Sequence, residues 1–257
     1  MEYGICNLSL VPVRAEPSDR SEMTTQLLFG EIFAIQQRQQ SWLKIRIAHD
    51  GYEGWIDEKQ YLSIPVDYYQ QILNNEPHIA LDIMQAAVSP ARHVLVLAGS
   101  NLPAFDGMNF KLFKEKFVYN GQAIDAYHDR NLDRFIERCA LKYLHAPYLW
   151  GGRSPFGIDC SGFTQVVFKM LGISIKRDAY QQAEEGFDID FAGQAAEGDL
   201  AFFGNDDRIT HVGIVMNDGK IIHASGRVRI DLLDHFGIYN QELKKYTHKL
   251  KVIKRLL

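Results

Sequence analysis

The sequence predicts an α+β fold in which small all-β modules precede a domain of helices and strands. Residues 1–64 hold short β-branched and aromatic runs broken by Gly30, Gly51 and Gly54, which is typical of a small all-β barrel. From residue 131 apolar residues recur at helical spacing, and strand-like runs return at residues 199–203, 211–216, 220–224 and 249–253. Helices followed by strands indicate an α+β domain.

Composition and charge exclude several functional classes. The 257 residues are 46% hydrophobic, with 28 Lys and Arg against 32 Asp and Glu, and they contain no block of five like charges. We therefore expect no nucleic acid partner. The longest aliphatic stretch is too short for a membrane span. The N-terminus lacks a signal peptide, which predicts a cytoplasmic location, or a periplasmic one if Met1 is not the native start.

The three cysteines predict a free thiol. Cys6, Cys139 and Cys160 cannot all pair, and no C-x-x-C motif is present, so neither a disulfide framework nor a structural zinc site is indicated. Cys139 lies on a helical stripe and is predicted to be a small buried hydrophobe. That stripe consists of Leu132, Phe135, Ile136, Cys139, Ala140, Tyr143 and Leu144.

Cys160 is the candidate nucleophile. It follows Asp159 and begins a second helical stripe that Gly172 ends. A thiol in the first turn faces free backbone N–H groups and the positive end of the helix dipole, which predicts a lowered thiol pKa and a reactive thiolate. Asp159 itself is either a helix N-cap or a residue that contacts substrate.

Two histidines, His211 and His223, flank a predicted β-hairpin with Asn217, Asp218 and Gly219 at its turn. With a three-residue loop His223 lies opposite Gly213, and both imidazoles share one face as diagonal neighbours. A two-residue loop would move His223 to the other face, because a one-residue slip inverts every side chain. A catalytic pair therefore requires the three-residue loop.

Nucleophilic and metal-dependent chemistry are both compatible with these residues. A thiolate needs a general acid for the leaving amine, and that acid needs a partner to fix its tautomer. The same three residues, Cys160, His211 and His223, would also suit a catalytic zinc ion. Taken singly, each histidine could instead be an ordinary buried strand residue.

The motifs resemble two known families. The order V-P-V-R-A-E-P-S-D, L-L-F-G-E, S-W-L-K-I-R and G-Y-E-G-W-I resembles the bacterial SH3-like (SH3b) module. The later P-Y-L-W-G-G-R-S-P-F-G-I-D-C-S-G-F, E-G-D-L-A-F-F, I-T-H-V-G-I-V and I-I-H-A-S resemble the papain-like NlpC/P60 cysteine peptidases. The implied domains are an SH3-like module (1–64), a linker or short helix with a second, divergent SH3-like unit (65–122), and an NlpC/P60 catalytic domain (123–257).

The resemblance implies a Cys-His-His triad of Cys160, His211 and His223, with no cofactor and no metal. Cys160 would attack an amide carbonyl, His211 would protonate the departing amine, and His223 would orient His211. The Tyr148 hydroxyl would join the Cys160 backbone N–H in holding the oxyanion. Tyr148 could instead be an aromatic residue packed beneath the Gly-rich loop.

The resemblance to the γ-D-glutamyl-L-diamino acid endopeptidase subgroup also implies a substrate. The expected partner is a murein stem peptide, L-Ala-γ-D-Glu-diamino acid, and the expected role is cell-wall peptide recycling. The protein is expected to be a monomer. The substrate-binding candidates are Asp159, Ser161, Arg177, Asp178 and, from the SH3-like module, Glu53. Asp178 would bind the free α-amine of L-Ala, while Ala179 stands where relatives carry Ser. A non-catalytic wall-binding protein with SH3-like anchors is the remaining alternative.

Overall fold

The computed structural model describes residues 1–75, 78–125, 132–205 and 208–256, without the side chains of residues 132–134. Residues 1–64 form the N-terminal module, a seven-stranded antiparallel sheet in the order β3-β2-β6-β5-β4-β1-β7. Its strands are β1 (Glu2–Ile5), β2 (Leu10–Arg14), β3 (Met23–Leu28), β4 (Ile32–Gln39), β5 (Trp42–Ile47), β6 (Glu53–Asp57) and β7 (Leu62–Ile64). Trp42 and Trp55 are buried in this module.

A short helix and a second all-β unit follow. Helix α1 (Val66–Asn74) begins after Pro65, at the place where the sequence suggests a linker or short helix. The middle module has a four-stranded and a three-stranded sheet, built from β8 (His78–Ala80), β9 (Met84–Val88), β10 (His93–Leu97), β11 (Asn101–Leu102), β12 (Asn109–Leu112), β13 (Glu115–Tyr119) and β14 (Ala123–Asp125). It shares one apolar core with the N-terminal module through Ile5, Phe29 and Ile32. Its likeness to an SH3-like module stays a prediction.

The C-terminal domain begins with helices. Helix α2 (Leu132–Leu141) carries the buried Cys139, as the helical stripe predicts. A short hairpin of β15 (Arg153–Ser154) and β16 (Gly157–Ile158) leads into helix α3 (Cys160–Met170). Helix α4 (Ala179–Gln182) follows. Within the described residues no helix is long and apolar enough to cross a bilayer, since α3 has only 11 residues.

The sheet of this domain has seven strands in the order β17-β23-β18-β19-β20-β21-β22. An additional β22–β23 pairing closes six of these strands into a ring. The strands are β17 (Phe187–Ile189), β18 (Leu200–Gly204), β19 (Ile209–Met216), β20 (Lys220–Ser225), β21 (Arg227–Leu233), β22 (Gly237–Asn240) and β23 (Lys245–Arg255). Helix α3 packs against β19 and β20, and this packing brings the start of the helix to the histidine-bearing strand.

The N-terminal module is joined to the C-terminal domain by buried charges. Glu31 accepts hydrogen bonds from both terminal nitrogens of Arg153 at 2.9 Å and from the Lys169 ammonium at 2.6 Å. All three side chains are almost fully buried. Arg153 also donates to the Gln26 carbonyl oxygen at 2.7 Å. One carboxylate therefore bridges two cations inside this contact, which holds the module against α3.

Candidate active site

The hairpin that carries the two histidines has the register that a catalytic pair of His211 and His223 requires. Met216 pairs with Lys220 and Gly213 with His223, so the loop is the three residues Asn217, Asp218 and Gly219. Asp218 and Gly219 both adopt positive φ angles, of 59° and 64°, which an Asp-Gly sequence tolerates. The prediction of a three-residue loop is confirmed, and the two imidazoles lie on one face.

The two imidazoles are in direct contact inside the domain. His211 Nε2 and His223 Nδ1 are 2.8 Å apart, and the ring planes are nearly perpendicular. Burial lowers the pKa of His211 well below its usual value, and the neighbouring His223 and His248 lower it further. Burial also lowers the pKa of His223. Both imidazoles are therefore neutral at physiological pH.

Cys160 lies at the start of α3 and lines a cleft of about 520 Å³. The Asp159 carboxylate caps the helix by accepting from the Gly162 N–H at 2.6 Å. The Val212 backbone lies close enough to the Cys160 sulfur to act on the thiol pKa, and Val212 is next in sequence to His211. Thr210, on the other side of His211, lines the same cleft. The thiol therefore lies beside the strand segment that carries the catalytic histidine candidate.

The prediction of a lowered thiol pKa and a resting thiolate at Cys160 is wrong. Burial raises the pKa of the Cys160 thiol to about 12, and the Asp159 carboxylate raises it further, against the backbone N–H groups of Val212 and Ser161. The helix terminus alone would lower the thiol pKa, but neighbouring elements remove the solvent around a sulfur that is 7% exposed, which a single sequence does not display. The resting thiol is thus protonated. Among the described contacts no hydrogen bond joins Cys160 to His211. In ligand-free sites such catalytic hydrogen bonds are often long and shorten only when substrate binds.

Tyr148 lines the cleft together with Cys160. Burial raises the pKa of its phenol to about 12, and the Asp159 charge acts in the same direction. The hydroxyl therefore stays protonated and able to donate a hydrogen bond. Whether it serves the oxyanion stays a prediction.

Arg177 does not line the cleft, contrary to its expected role in substrate binding. It is 1% exposed, and its guanidinium donates to both Asp159 oxygens, at 3.0 and 2.7 Å. It also donates to Ser161 Oγ at 2.9 Å and to Thr25 Oγ1 at 2.8 Å. Because these contacts engage its planar donor groups, Arg177 holds Asp159 and Ser161 in place rather than meeting a ligand.

Asp159 and Ser161 both line the cleft, but Asp159 is already engaged by the protein. Its second oxygen accepts from the Gly151 N–H at 2.8 Å, in addition to the helix cap and Arg177. The capping interpretation of Asp159 is therefore the one that the structure shows. Direct contact of either residue with substrate stays a prediction.

Glu53 is also placed away from the cleft, which corrects its expected role. Its carboxylate accepts from Gln36 at 2.6 Å and pairs with Lys44 at 3.4 Å on the exposed face of β5 and β6. Two other residues of the N-terminal module, Glu22 and Tyr52, line the cleft together with Asp178. Glu22 accepts a 2.6 Å hydrogen bond from the Trp150 indole. No local sequence signal distinguished these residues.

Asp178, the residue before α4, lines the cleft beside Tyr52. Burial raises the pKa of the Asp178 carboxyl, against Arg177 and the Tyr52 hydroxyl, which lower it. Burial likewise raises the pKa of Tyr52 to about 12, with the Asp178 charge acting in the same direction. A carboxylate in this position gains stability from any added cation.

The zinc alternative finds no matching ligand set in residues 1–75, 78–125, 132–205 and 208–256. The close group of potential ligands there is His211, His223 and His248, with ligand atoms within 4.8 Å of one another, and it does not contain Cys160. His211 and His248 stack with ring centroids 4.2 Å apart and planes 24° apart. Because lone pairs lie in the ring plane, nearly parallel rings do not converge on one ion.

Comparison with known proteins identifies the family. Models of the NlpC/P60 family and of the bacterial dipeptidyl-peptidase Sh3 domain match residues 145–250 and 13–60. The chain is 31% identical over 214 residues to a γ-D-glutamyl-L-lysine dipeptidyl-peptidase of Bacillus subtilis (strain 168), covering 78% of this chain and 71% of that protein. The chain belongs to the NlpC/P60 family. It is therefore a cysteine peptidase with a bacterial SH3-type domain.

Other similarities extend over nearly the whole NlpC/P60 chain. Dipeptidyl-peptidase 6 of Lysinibacillus sphaericus is 26% identical over 255 residues, covering 89% of this chain and 91% of that protein. The crystal structure of an NlpC/P60 family protein from Bacillus cereus ATCC 10987 superposes with a TM-score of 0.82, at 20% identity, covering 98% of this chain and 99% of that one. The Bacillus cereus protein thus has the same fold over all three modules.

Proposed function

We propose that this NlpC/P60 peptidase hydrolyses the γ-D-glutamyl–diamino acid bond of short peptidoglycan peptides that carry a free N-terminal L-Ala. The observation that carries the proposal is the composition of the cleft, which Glu22, Tyr52 and Asp178 line together with Cys160. Relatives named γ-D-glutamyl-L-lysine dipeptidyl-peptidases support the choice of bond.

The charges in the cleft support a substrate with a free, charged α-amine. Glu22 and Asp178 are carboxylates, and the Asp178 carboxyl has a pKa raised by burial, so a substrate ammonium would favour its ionised form. Tyr52 supplies a protonated hydroxyl to the same cleft. In polymeric wall the same nitrogen is part of an amide without charge, and binding it would give the half-buried Asp178 carboxylate no added cation.

The chemistry begins with a neutral pair. Cys160 attacks the γ-carbonyl carbon of D-Glu while its proton passes to the free ring nitrogen of His211, which forms a carbon–sulfur bond and an oxyanion. The Cys160 backbone N–H and the Tyr148 hydroxyl would donate to that oxyanion. His211 then gives the proton to the diamino acid nitrogen as the carbon–nitrogen bond breaks, which leaves a thioester.

Water completes the reaction. His211 removes a proton from a water molecule that attacks the thioester carbonyl, and the sulfur leaves with that proton as the Cys160 thiol. The products are the dipeptide L-Ala-γ-D-Glu and the free diamino acid. Transfer of the proton during attack replaces the resting thiolate that the helix position alone suggested.

The test compares two substrates, L-Ala-γ-D-Glu-L-Lys and the same peptide with an acetylated α-amine. A charge-assisted hydrogen bond contributes about 1.5–3 kcal/mol, so acetylation should lower kcat/KM by roughly 10- to 100-fold. Glu22→Gln and Tyr52→Phe should lower kcat/KM for the free peptide while leaving the low value for the acetylated peptide unchanged.

The matched control is Glu53→Gln, which removes an exposed acid from the same module away from the cleft. It should leave both substrates unaffected. Equal turnover of the free and acetylated peptides would contradict the amine assignment, and binding to intact sacculi without hydrolysis would support the wall-binding alternative. The cytoplasmic location and the monomeric state stay predictions.

A further inference from the structure

A buried carboxylate lies behind the histidine pair. Asp231, on β21, is 3% exposed and 3.1 Å from His223 Nε2 through its Oδ2. Arg229 donates to both Asp231 oxygens, from Nε at 2.7 Å and from Nη2 at 3.0 Å. Burial alone would raise the pKa of Asp231, but the hydrogen bonds from His223 and Arg229 hold it below its usual value. Asp231 is therefore ionised.

An ionised carboxylate fixes the proton of its imidazole partner. A carboxylate only accepts, so His223 Nε2 must carry the hydrogen in this contact. Since a neutral imidazole has one N–H, His223 Nδ1 is left as an acceptor. The 2.8 Å contact between His211 and His223 then requires the hydrogen to lie on His211 Nε2.

The same reasoning determines the reactive nitrogen of His211. With its hydrogen on Nε2, the neutral His211 ring has its lone pair on Nδ1, the form that can accept a proton from a thiol. The opposite tautomer of His223 would place a hydrogen on His211 Nδ1 and block that transfer. One carboxylate, two rings away from the sulfur, therefore selects between a competent and an incompetent base.

We propose that Asp231 is a positioning residue that fixes the tautomers of His223 and His211, so that His211 Nδ1 accepts the Cys160 proton. The proposal deepens the proposed function and rests on its assignment of Cys160 as nucleophile. Arg229 orients the Asp231 carboxylate and also pairs with the exposed Glu242 at 3.2 Å. Asp231 touches neither substrate nor sulfur in this scheme.

Asp231→Asn is the central variant. An amide can present either its oxygen or its NH2 group to His223 Nε2, so the tautomer is no longer fixed. Loss of such a supporting contact costs about 10- to 100-fold in activity, and the loss should appear in kcat with KM unchanged. Glu242→Gln is the matched control, because it alters the other partner of Arg229 and leaves the Asp231–His223 contact intact.

A spectroscopic readout separates positioning from structural support. In protein labelled with ¹⁵N-histidine, the wild type should show His223 protonated at Nε2 and bare at Nδ1, and Asp231→Asn should show a mixture of both forms. Wild-type protein with His223 protonated at Nδ1 would overturn the proposal, even if no variant folds. So would a folded Asp231→Asn variant that keeps the wild-type kcat or the wild-type tautomer.

Cys160 alkylation by iodoacetamide gives a readout that needs no substrate. Asp231→Asn should alkylate more slowly than both the wild type and Glu242→Gln, and an equal rate would count against Asp231. If the wild type fails to cleave L-Ala-γ-D-Glu-L-Lys, the proposed function fails. The alkylation and ¹⁵N measurements still decide the role of Asp231 in that case.

Discussion

The Trp150 indole N–H donates a 2.6 Å hydrogen bond to Glu22 Oε1, linking the cleft loop of the C-terminal domain to the N-terminal module. The contact forms where the loop approaches β3 closely. Gly151, next in sequence, has a φ of 74°, and a Cβ built on it would overlap the Met23 carbonyl oxygen. The cleft therefore depends on this approach between two modules.

Gly151→Ala should weaken that approach. The added methyl overlaps backbone, and the positive φ disfavours any side chain, so we expect a loss of about 2 kcal/mol or more in the free energy of unfolding. Gly193→Ala is the control, because a Cβ there meets no atom within 4 Å. Urea denaturation measures both variants. Equal stabilities would show that the loop moves away from β3 without cost.

Glu31→Gln should strongly destabilise the protein. The change leaves the buried Arg153 and Lys169 without their shared counterion, and breaking a buried ion pair costs about 3–5 kcal/mol. The control is Glu2→Gln, which removes the exposed partner of Arg38 on the same module. Chemical denaturation should show a small change for Glu2→Gln. A Glu31→Gln midpoint equal to that of the wild type would contradict the role given to Glu31.

The same glutamate predicts an acid dependence. Burial alone would raise the pKa of Glu31, but Arg153 and Lys169 hold it well below its usual value of 4.5. A lowered folded-state pKa stabilises the protein above the unfolded value, and this stability is lost as the pH falls from about 4.5 toward the folded-state pKa. Unfolding measured from pH 7 to pH 3 should therefore show a Glu31 contribution that Glu31→Gln lacks. Parallel pH curves would count against it.

Cys160 alkylation should increase with pH. Because burial raises the thiol pKa to about 12, the thiolate fraction is small at neutral pH and grows throughout the alkaline range. Rates of iodoacetamide labelling at Cys160, followed by peptide mass spectrometry in a Cys139→Ala background, should rise without a plateau up to pH 9. A pH-independent rate between pH 6 and pH 9 would indicate a resting thiolate and contradict the neutral pair.

Local patterns predicted the elements that carry the chemistry. The helical stripe located Cys160 at a helix start, and the turn sequence reduced the register of the two histidines to two alternatives, of which the structure has the three-residue loop. The thiol pKa was wrong because it depends on solvent removed by neighbouring elements. In the region between residues 227 and 240 no strand was predicted, so Asp231 on β21 was missed.

Glu53 shows the limit on the N-terminal module. Glu53, in the segment 51–54, was the acid predicted to contact substrate, but successive side chains along a strand point to opposite faces. Tyr52 faces the cleft, and Glu53 lies on the exposed face of β6 beside Gln36 and Lys44. Glu22 reaches the cleft from the segment before β3. Which side chains of one module line another depends on how the two pack, which a single sequence does not display.

Product analysis on L-Ala-γ-D-Glu-L-Lys tests the central claim most directly. Chromatography should show that the wild type releases free lysine and the dipeptide L-Ala-γ-D-Glu, that Cys139→Ala does the same, and that Cys160→Ala releases neither. Lysine release by Cys160→Ala, or cleavage by the wild type between L-Ala and D-Glu instead, would contradict the account.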